Sequence, residues 1–180
     1  MLTPSGRFNL FLERTGSKAN LSTVALGTSY SFEDRPYGTG VPGFSKLYAA
    51  KLADSASRNF FEVVVLSHAL RQDPRRYRST SSSTLTRFAD AAGSVVVTRT
   101  DEGQKTFNSS RVLATFLSAA LSNAYYPEDD RTFGRTMGRA GRRLMLDVSS
   151  GVVREFAPDL LRKLLGKRQK SEPPVEPPTN

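Results

Sequence analysis

Three polar turns carry the side chains of this 180-residue chain that could do chemistry. The first, Gln72-Asp73-Pro74-Arg75-Arg76-Tyr77, sets a carboxylate among guanidiniums directly after an apolar run. Asp before Pro starts a turn by accepting a backbone N–H two residues on. Arg99-Thr100-Asp101 and Asn123-Ala124-Tyr125-Tyr126-Pro127 are the second and third. Gathered at one end of a helical bundle, Asp73, Arg75, Arg99, Asp101, Asn108 and Asn123 would form a polar cluster able to hold a substrate. The same six side chains would equally tie loops to helix ends, which is the commoner use of such groups. A concave pocket with displaced carboxylate pKa values would mark an enzyme; a fully paired network would mark a structural device.

His68 is the one histidine and there is no cysteine. Disulfides, thiolate catalysis and sulfur-ligated zinc are excluded, and a His-dependent triad would hang on a single residue. His68 stands among Val65, Leu66, Ala69 and Leu70 with no orienting carboxylate at a neighbouring helical position, so it reads as a core or rim histidine. Glu128-Asp129-Asp130 has no matching ligand set and reads as acid at a helix N-terminus, where the dipole favours it. No catalytic residue, metal or cofactor is expected.

Net charge is +9, and residues 131 to 170 hold eleven basic residues against three acids, Asp147, Glu155 and Asp159. A field of that sign draws acidic lipid, acidic protein or nucleic acid and says nothing about fold. Arg131, Arg135, Arg139 and Arg142 recur every three or four residues, so on a helix they project as one cationic ridge opposite Phe133, Met137 and Leu144. The ridge is either a phosphate-binding surface or a solvated face with local acid partners. Nucleic-acid grooves interleave aromatics with their cations, and this ridge has none. The Leu160–Lys170 stretch, with Lys163 and Lys167, fits a helix lying on a membrane surface, or one whose leucines close the core. Gly134, Gly138 and Gly141 have the spacing that lets two backbones approach; the flanking arginines would be costly in lipid, so ordinary helix packing is expected.

The elements that must position these groups read as helical. Ala (16), Gly (13) and Ser (21) outnumber Leu (19), Val (13) and Phe (11), and Ile is absent, which favours close-packed helices over a β-sandwich. Thr3-Pro4 is an N-cap followed by the first helical position, opening a helix to about Arg14. Leu21 to Phe32 is a strand or a small-residue helix, and residues 33 to 43 form a loop. A long helix from Phe44 to about Leu70 turns Ala49, Leu52, Ala56, Phe60, Val63, Val64 and Ser67 inward, with Lys51, Asp54, Arg58 and Glu62 on the opposite stripe. Residues 83 to 97 form a further helix, although the β-branched Val95-Val96-Val97-Thr98 would also suit a strand. Asn108 or Ser109 caps a helix with Leu113, Phe116, Leu117, Ala120, Leu121 and Ala124 on one face, ended by Pro127. Asp129 or Asp130 caps the next, which Pro158 interrupts before a short basic helix. The last residues, with a doubled Glu-Pro-Pro, read as an extended disordered tail.

No stretch reaches the about 20 mostly apolar residues that a membrane-spanning helix needs. The start, Met-Leu-Thr-Pro-Ser-Gly-Arg, lacks the basic and apolar regions of a secretory signal.

In order along the chain, Leu2-Thr-Pro, Arg7-Phe-Asn-Leu-Phe, Tyr37-Gly-Thr-Gly-Val-Pro-Gly-Phe44, Gln72-Asp-Pro-Arg75, Val97-Thr-Arg-Thr-Asp-Glu-Gly103, Phe107-Asn-Ser-Ser110, Leu121-Ser-Asn-Ala-Tyr-Tyr-Pro127 and Asp130-Arg-Thr132 resemble a family of uncharacterised bacterial proteins common in soil bacteria. The likeness covers about residues 2 to 135. It implies a small-residue-rich helical protein often preceded by a secretory signal, and hence the cell envelope. It carries no assigned reaction, ligand or catalytic residue. The family tends to read His-Gln-Asp-Pro-Arg-Tyr, whereas here Arg71 precedes Gln72 and Arg76 follows Arg75.

The expectation is therefore an all-α single domain over residues 1–168, of five or six helices packed through small residues, with a loop-rich N-terminal third and a Pro-rich tail at 169–180. The leading function is a non-enzymatic structural or interaction protein of the bacterial envelope. Arg131, Arg135, Arg139, Arg142, Lys163 and Lys167 would meet an anionic membrane surface or an acidic protein. An enzyme built on the polar cluster and a nucleic-acid-binding module are the rivals.

Overall fold

The structure is a computed structural model that describes residues 2–34, 36–75, 83–93 and 95–169; the tail from 170 lies outside the described residues. Thr3 accepts the Gly6 N–H at 3.1 Å and Pro4 takes the first position, so helix α1 runs Pro4–Gly16. Ser17 repeats the device by accepting the Asn20 N–H at 3.2 Å, and α2 follows as Lys18–Ser31, which makes the ambiguous second segment a helix. Helix α3 spans Gly40–Asn59 and continues through a π segment, Phe60–Leu66, into Ser67–Ala69. Gly38 and Gly40 take positive φ values of 89° and 69° in the turn before it. A Cβ on Gly43 would strike the Gly38 carbonyl, so α3 starts hard against this turn.

Helix α4 is Thr84–Gly93, α5 is Ser109–Ser122 and α6 is Phe133–Gln169. At about 1.5 Å per residue the 37-residue α6 is ~55 Å long. It runs unbroken past Pro158, contrary to the expected interruption; removing one backbone donor does not end a helix whose neighbouring turns remain bonded. Val97 was expected in the helix before it, but it opens a strand. Strands β1 (Gln72–Asp73), β2 (Val97–Thr100) and β3 (Lys105–Phe107) form a small antiparallel sheet, with Gln72 opposite Thr100 and Val97 opposite Phe107. Here the β-branched run outweighs the helical periodicity. Apart from these three strands the described chain is all-α.

Helix α5 is the centre of the bundle, lying against α3, the π segment and α6, while α4 packs on α6. Its inward face is Ser110, Arg111, Ala114, Thr115, Ser118, Ala119 and Ser122. Leu113, Leu117 and Leu121, four residues apart and each 45–46% exposed, face outward. Helix α3 with its π segment departs from the expected faces in part, with Val63 and Ser67 buried as expected. Arg58 and Glu62, expected on the solvent stripe, are buried, while Ala49 and Phe60 are exposed. The apolar core is thin: Val24, Leu47, Ala50, Val63, Val95, Ala114, Ala119, Tyr126 and Ala140. The π segment contributes to the burial of Glu62. Its wider turn lets the Ser67 N–H bond the Glu62 carbonyl, five residues back, and so carries Glu62, Val63 and Ser67 together into the interior.

Candidate functional site

Of the six residues expected in one polar cluster, the structure gathers those around the sheet and leaves Asn123 apart. Arg7, reaching in from α1, is almost fully buried and pairs with both Asp101 carboxylate oxygens at 3.3 Å. Its Nη1 donates to Ser67 Oγ at 2.5 Å and to the Gln72 carbonyl at 3.3 Å. Asn108 Oδ1 caps α5 by accepting the Arg111 N–H at 3.1 Å, and Gln72 Oε1 accepts the Ser110 N–H at 3.0 Å. Asp73 accepts the Arg75 N–H at 2.9 Å in the expected turn, and Arg99 donates to the Gly103 carbonyl at 3.0 Å. These bonds tie α1, the sheet and the start of α5 together. Asn123 sits at the far end of the 14-residue α5, about 20 Å away, and joins a different set of bonds. The correction has a simple cause: a helix separates what its two flanking turns carry. Asn108→Ala removes the cap and is expected to cost about 1 kcal/mol, read as a lower urea midpoint with an unchanged slope.

The most unusual arrangement is one that the spacing did not announce. Among the described residues, four guanidiniums and two carboxylates form a single, largely buried chain across α1, α3 and its π segment, α5 and α6. Glu62 Oε1 takes Arg111 at 2.9 Å and Arg14 at 3.4 Å, and Glu62 Oε2 lies 3.7 Å from Arg58. Arg58 Nη2 pairs with Asp147 Oδ2, and its Nε donates to Thr115 at 3.0 Å. Arg143 closes the chain 3.8 Å from Asp147 Oδ1. Burial alone would push the Glu62 carboxyl up, but the charges of Arg111, Arg58 and Arg14 overcome it and hold it well below the usual carboxylate range. Short side chains on α5 make room for these long ones. The available signal was Arg111 itself, which shares a helical face with Ala114, Thr115, Ser118, Ala119 and Ser122.

A second assembly surrounds Asp54. Tyr125 and Tyr126 donate to its two oxygens at 2.6 and 2.7 Å, and Tyr37 donates to the Tyr125 carbonyl at 2.9 Å. Burial raises the Asp54 carboxyl against the pull of those hydroxyls, and burial beside Asp54 pushes both tyrosines up. Phenols held protonated in this way donate hydrogen bonds and do not act as bases.

The expected arginine ridge is split. Arg139 turns inward over the Tyr126 ring, 4.8 Å from its centroid, and donates to Asn123 Oδ1 at 2.6 Å, Ser122 Oγ at 3.1 Å and the Asp130 carbonyl at 2.5 Å. Arg131 donates to the Tyr126 carbonyl at 2.7 Å and Arg135 pairs with Asp130 at 2.8 Å; these two and Arg142 remain exposed. Phe133, expected on the inward face, is 80% exposed, whereas Ala140, expected on the same face, is buried, as are Thr136 and Asp147. Lys163 and Lys167 belong to α6, but their side chains lie outside the described residues. The glycine spacing is not a packing contact either, because a Cβ on Gly134, Gly138 or Gly141 would meet nothing within 4 Å. His68 is exposed.

Among the described residues, no group of His, Asp and Glu could hold a metal ion, and no helix is long and apolar enough to cross a membrane. No family model, curated protein or solved structure matches the chain.

Proposed function

We propose that this is a non-enzymatic structural or interaction protein of the bacterial cell envelope, which rests on an anionic membrane face through its outward apolar side chains and exposed cations. The observation that carries the reading is the inverted α5, which keeps Arg111 and its serines inside and turns Leu113, Leu117 and Leu121 to the exterior. Water-exposed leucine in such a row gains free energy from any apolar cover. Exposed Leu146, Val153 and Leu160 follow one another at seven-residue intervals on α6, beyond the exposed Arg135 and Arg142. Cations next to apolar surface suit the boundary between anionic headgroups and acyl chains. The polar cluster around Asp101 has the bonding of a structural device, which favours this reading over an enzyme.

Flotation with phosphatidylglycerol-containing vesicles tests the reading. Wild-type protein is expected to float with them and to stay behind with phosphatidylcholine alone. Half-burying three leucines is worth about 2–4 kcal/mol, so the triple variant Leu113→Ser, Leu117→Ser, Leu121→Ser should partition roughly 30-fold to several-hundred-fold less. Its far-UV circular dichroism should match the wild type, since these side chains lie outside the buried core. Flotation by the triple variant, or equal flotation on neutral vesicles, would refute the assignment.

A further inference from the structure

The buried chain of charges does not balance. Among the described residues, Arg14, Arg58, Arg111 and Arg143 form ion pairs with two carboxylates, Glu62 and Asp147. Including the adjacent Arg139 and Asp54 gives five guanidiniums to three carboxylates and keeps the surplus at two positive charges. An uncompensated charge inside a protein is expensive, and a buried donor without an acceptor adds to the cost. Three buried side-chain nitrogens among the described residues lack a hydrogen-bond partner: Nε of Arg7, of Arg139 and of Arg143. Arg7 is enclosed and its charge is matched by Asp101. The other two lie four residues apart on α6 and therefore on one side of that helix.

Neither nearby carboxylate accepts a hydrogen bond from Arg143 Nε. Asp147 Oδ2 is engaged by Arg58, and Asp147 Oδ1 stays 3.8 Å from Arg143 Nε, beyond hydrogen-bond reach. Both oxygens of Asp54 are taken by Tyr125 and Tyr126. Arg143 keeps 31% of its side chain open to solvent, although its unpaired Nε is itself buried. Desolvation, followed by the charge of Arg58, pulls its pKa down in spite of Asp147, Asp54 and Glu62, which agrees with a cation short of counter-charge.

We propose that Arg143, with Arg139 one turn before it and Arg58 behind it, forms an oxyanion site that takes a phosphate group, supplied by a free phosphate ion or by a lipid headgroup. Phosphate fits because a guanidinium presents its donors as a planar fork that matches two oxygens at once. Its one to two negative charges also answer the surplus. Exposed Arg142, its neighbour on the helix, adds to the local positive field. The free-ion arm stands independently of the membrane reading; only the headgroup arm rests on it.

The test is thermal unfolding of the full chain in rising inorganic phosphate, against chloride at matched ionic strength. Saturable binding should raise Tm by about 5 °C or more at phosphate ~100-fold above its Kd. Arg143→Gln should lose the phosphate-specific rise, Arg143→Lys should weaken it, and the surface control Lys46→Gln should keep it. Phosphorus NMR of free phosphate titrated with wild-type protein gives a second measurement that does not depend on how well the variants fold. If free phosphate gives no saturable response, Arg143-dependent flotation on phosphatidylglycerol vesicles, retained by Lys46→Gln, would assign the site to a headgroup. The proposal is overturned if chloride reproduces the phosphate response, if Arg143→Gln keeps it, or if neither free phosphate nor vesicles show dependence on Arg143. Loss of vesicle flotation in the leucine variant alone, with phosphate binding intact, would bear on the membrane reading and leave this site standing.

Discussion

Glu62→Gln is expected to destabilise the protein by about 3–5 kcal/mol at neutral pH, because it removes the carboxylate charge that Arg14, Arg58 and Arg111 share and strands three guanidiniums in the interior. The shape of the side chain hardly changes, so the loss would be one of charge and not of packing. The pH dependence gives a further check. The folded pKa of Glu62 is depressed, so its stabilisation is complete above the unfolded value of about 4.3 and drains away as pH falls toward the folded value. Urea unfolding of wild type and variant at pH 7, 4 and 3 should therefore show the gap between them narrowing below about pH 4. Asp54 works with the opposite sign: its raised pKa favours folding at low pH, and that contribution is lost as pH rises through the folded value. A gap that stays constant from pH 7 to pH 3 would show that Glu62 does not carry the charge balance described above.

Arg58→Ala should be comparably severe, at about 3–5 kcal/mol, since this one side chain joins α3 to Thr115 on α5 and to Asp147 on α6. Truncation leaves Asp147 with Arg143 at 3.8 Å as its remaining ion-pair partner. The effect should also be strongly non-additive. Removing Asp147 as well, as Arg58→Met with Asp147→Leu, takes away both buried charges, so the double variant should lose less than the two single variants together by about 1–3 kcal/mol. Chemical denaturation of the four proteins closes the cycle. Strict additivity would mean that the two groups do not meet in solution as they do here.

These effects reverse the usual ranking, in which buried leucines matter most and charges least. In this chain the half-exposed Leu113, Leu117 and Leu121 should each matter less to stability than buried Arg58, Glu62 and Arg111. The small residues of α5 explain why such a core can close. Serine, threonine and alanine let helices approach, and the space left is filled by the long stems of arginine, which bury methylenes as well as charge.

Local chemistry determined the elements. Thr3 before Pro4 and Asn108 before Ser109 can be read as caps because the interactions they make reach only three residues along the chain. The polar turn at Asp73 is legible for the same reason. The amphipathic division of α5 was also legible, since helical spacing alone puts Leu113, Leu117 and Leu121 on one side and Arg111, Ser118 and Ser122 on the other. What the spacing could not say is which side faces in. Arg58 and Glu62, four apart, form the same local pair whether the helix surface is wet or covered, and only the arrival of Arg111, Arg14 and Asp147 from other helices makes their burial favourable. Periodicity sorts side chains into faces by angle, while the choice of inward face is a sum over partners distant in the chain. That sum belongs to the tertiary structure, and here it chose paired charge for the interior.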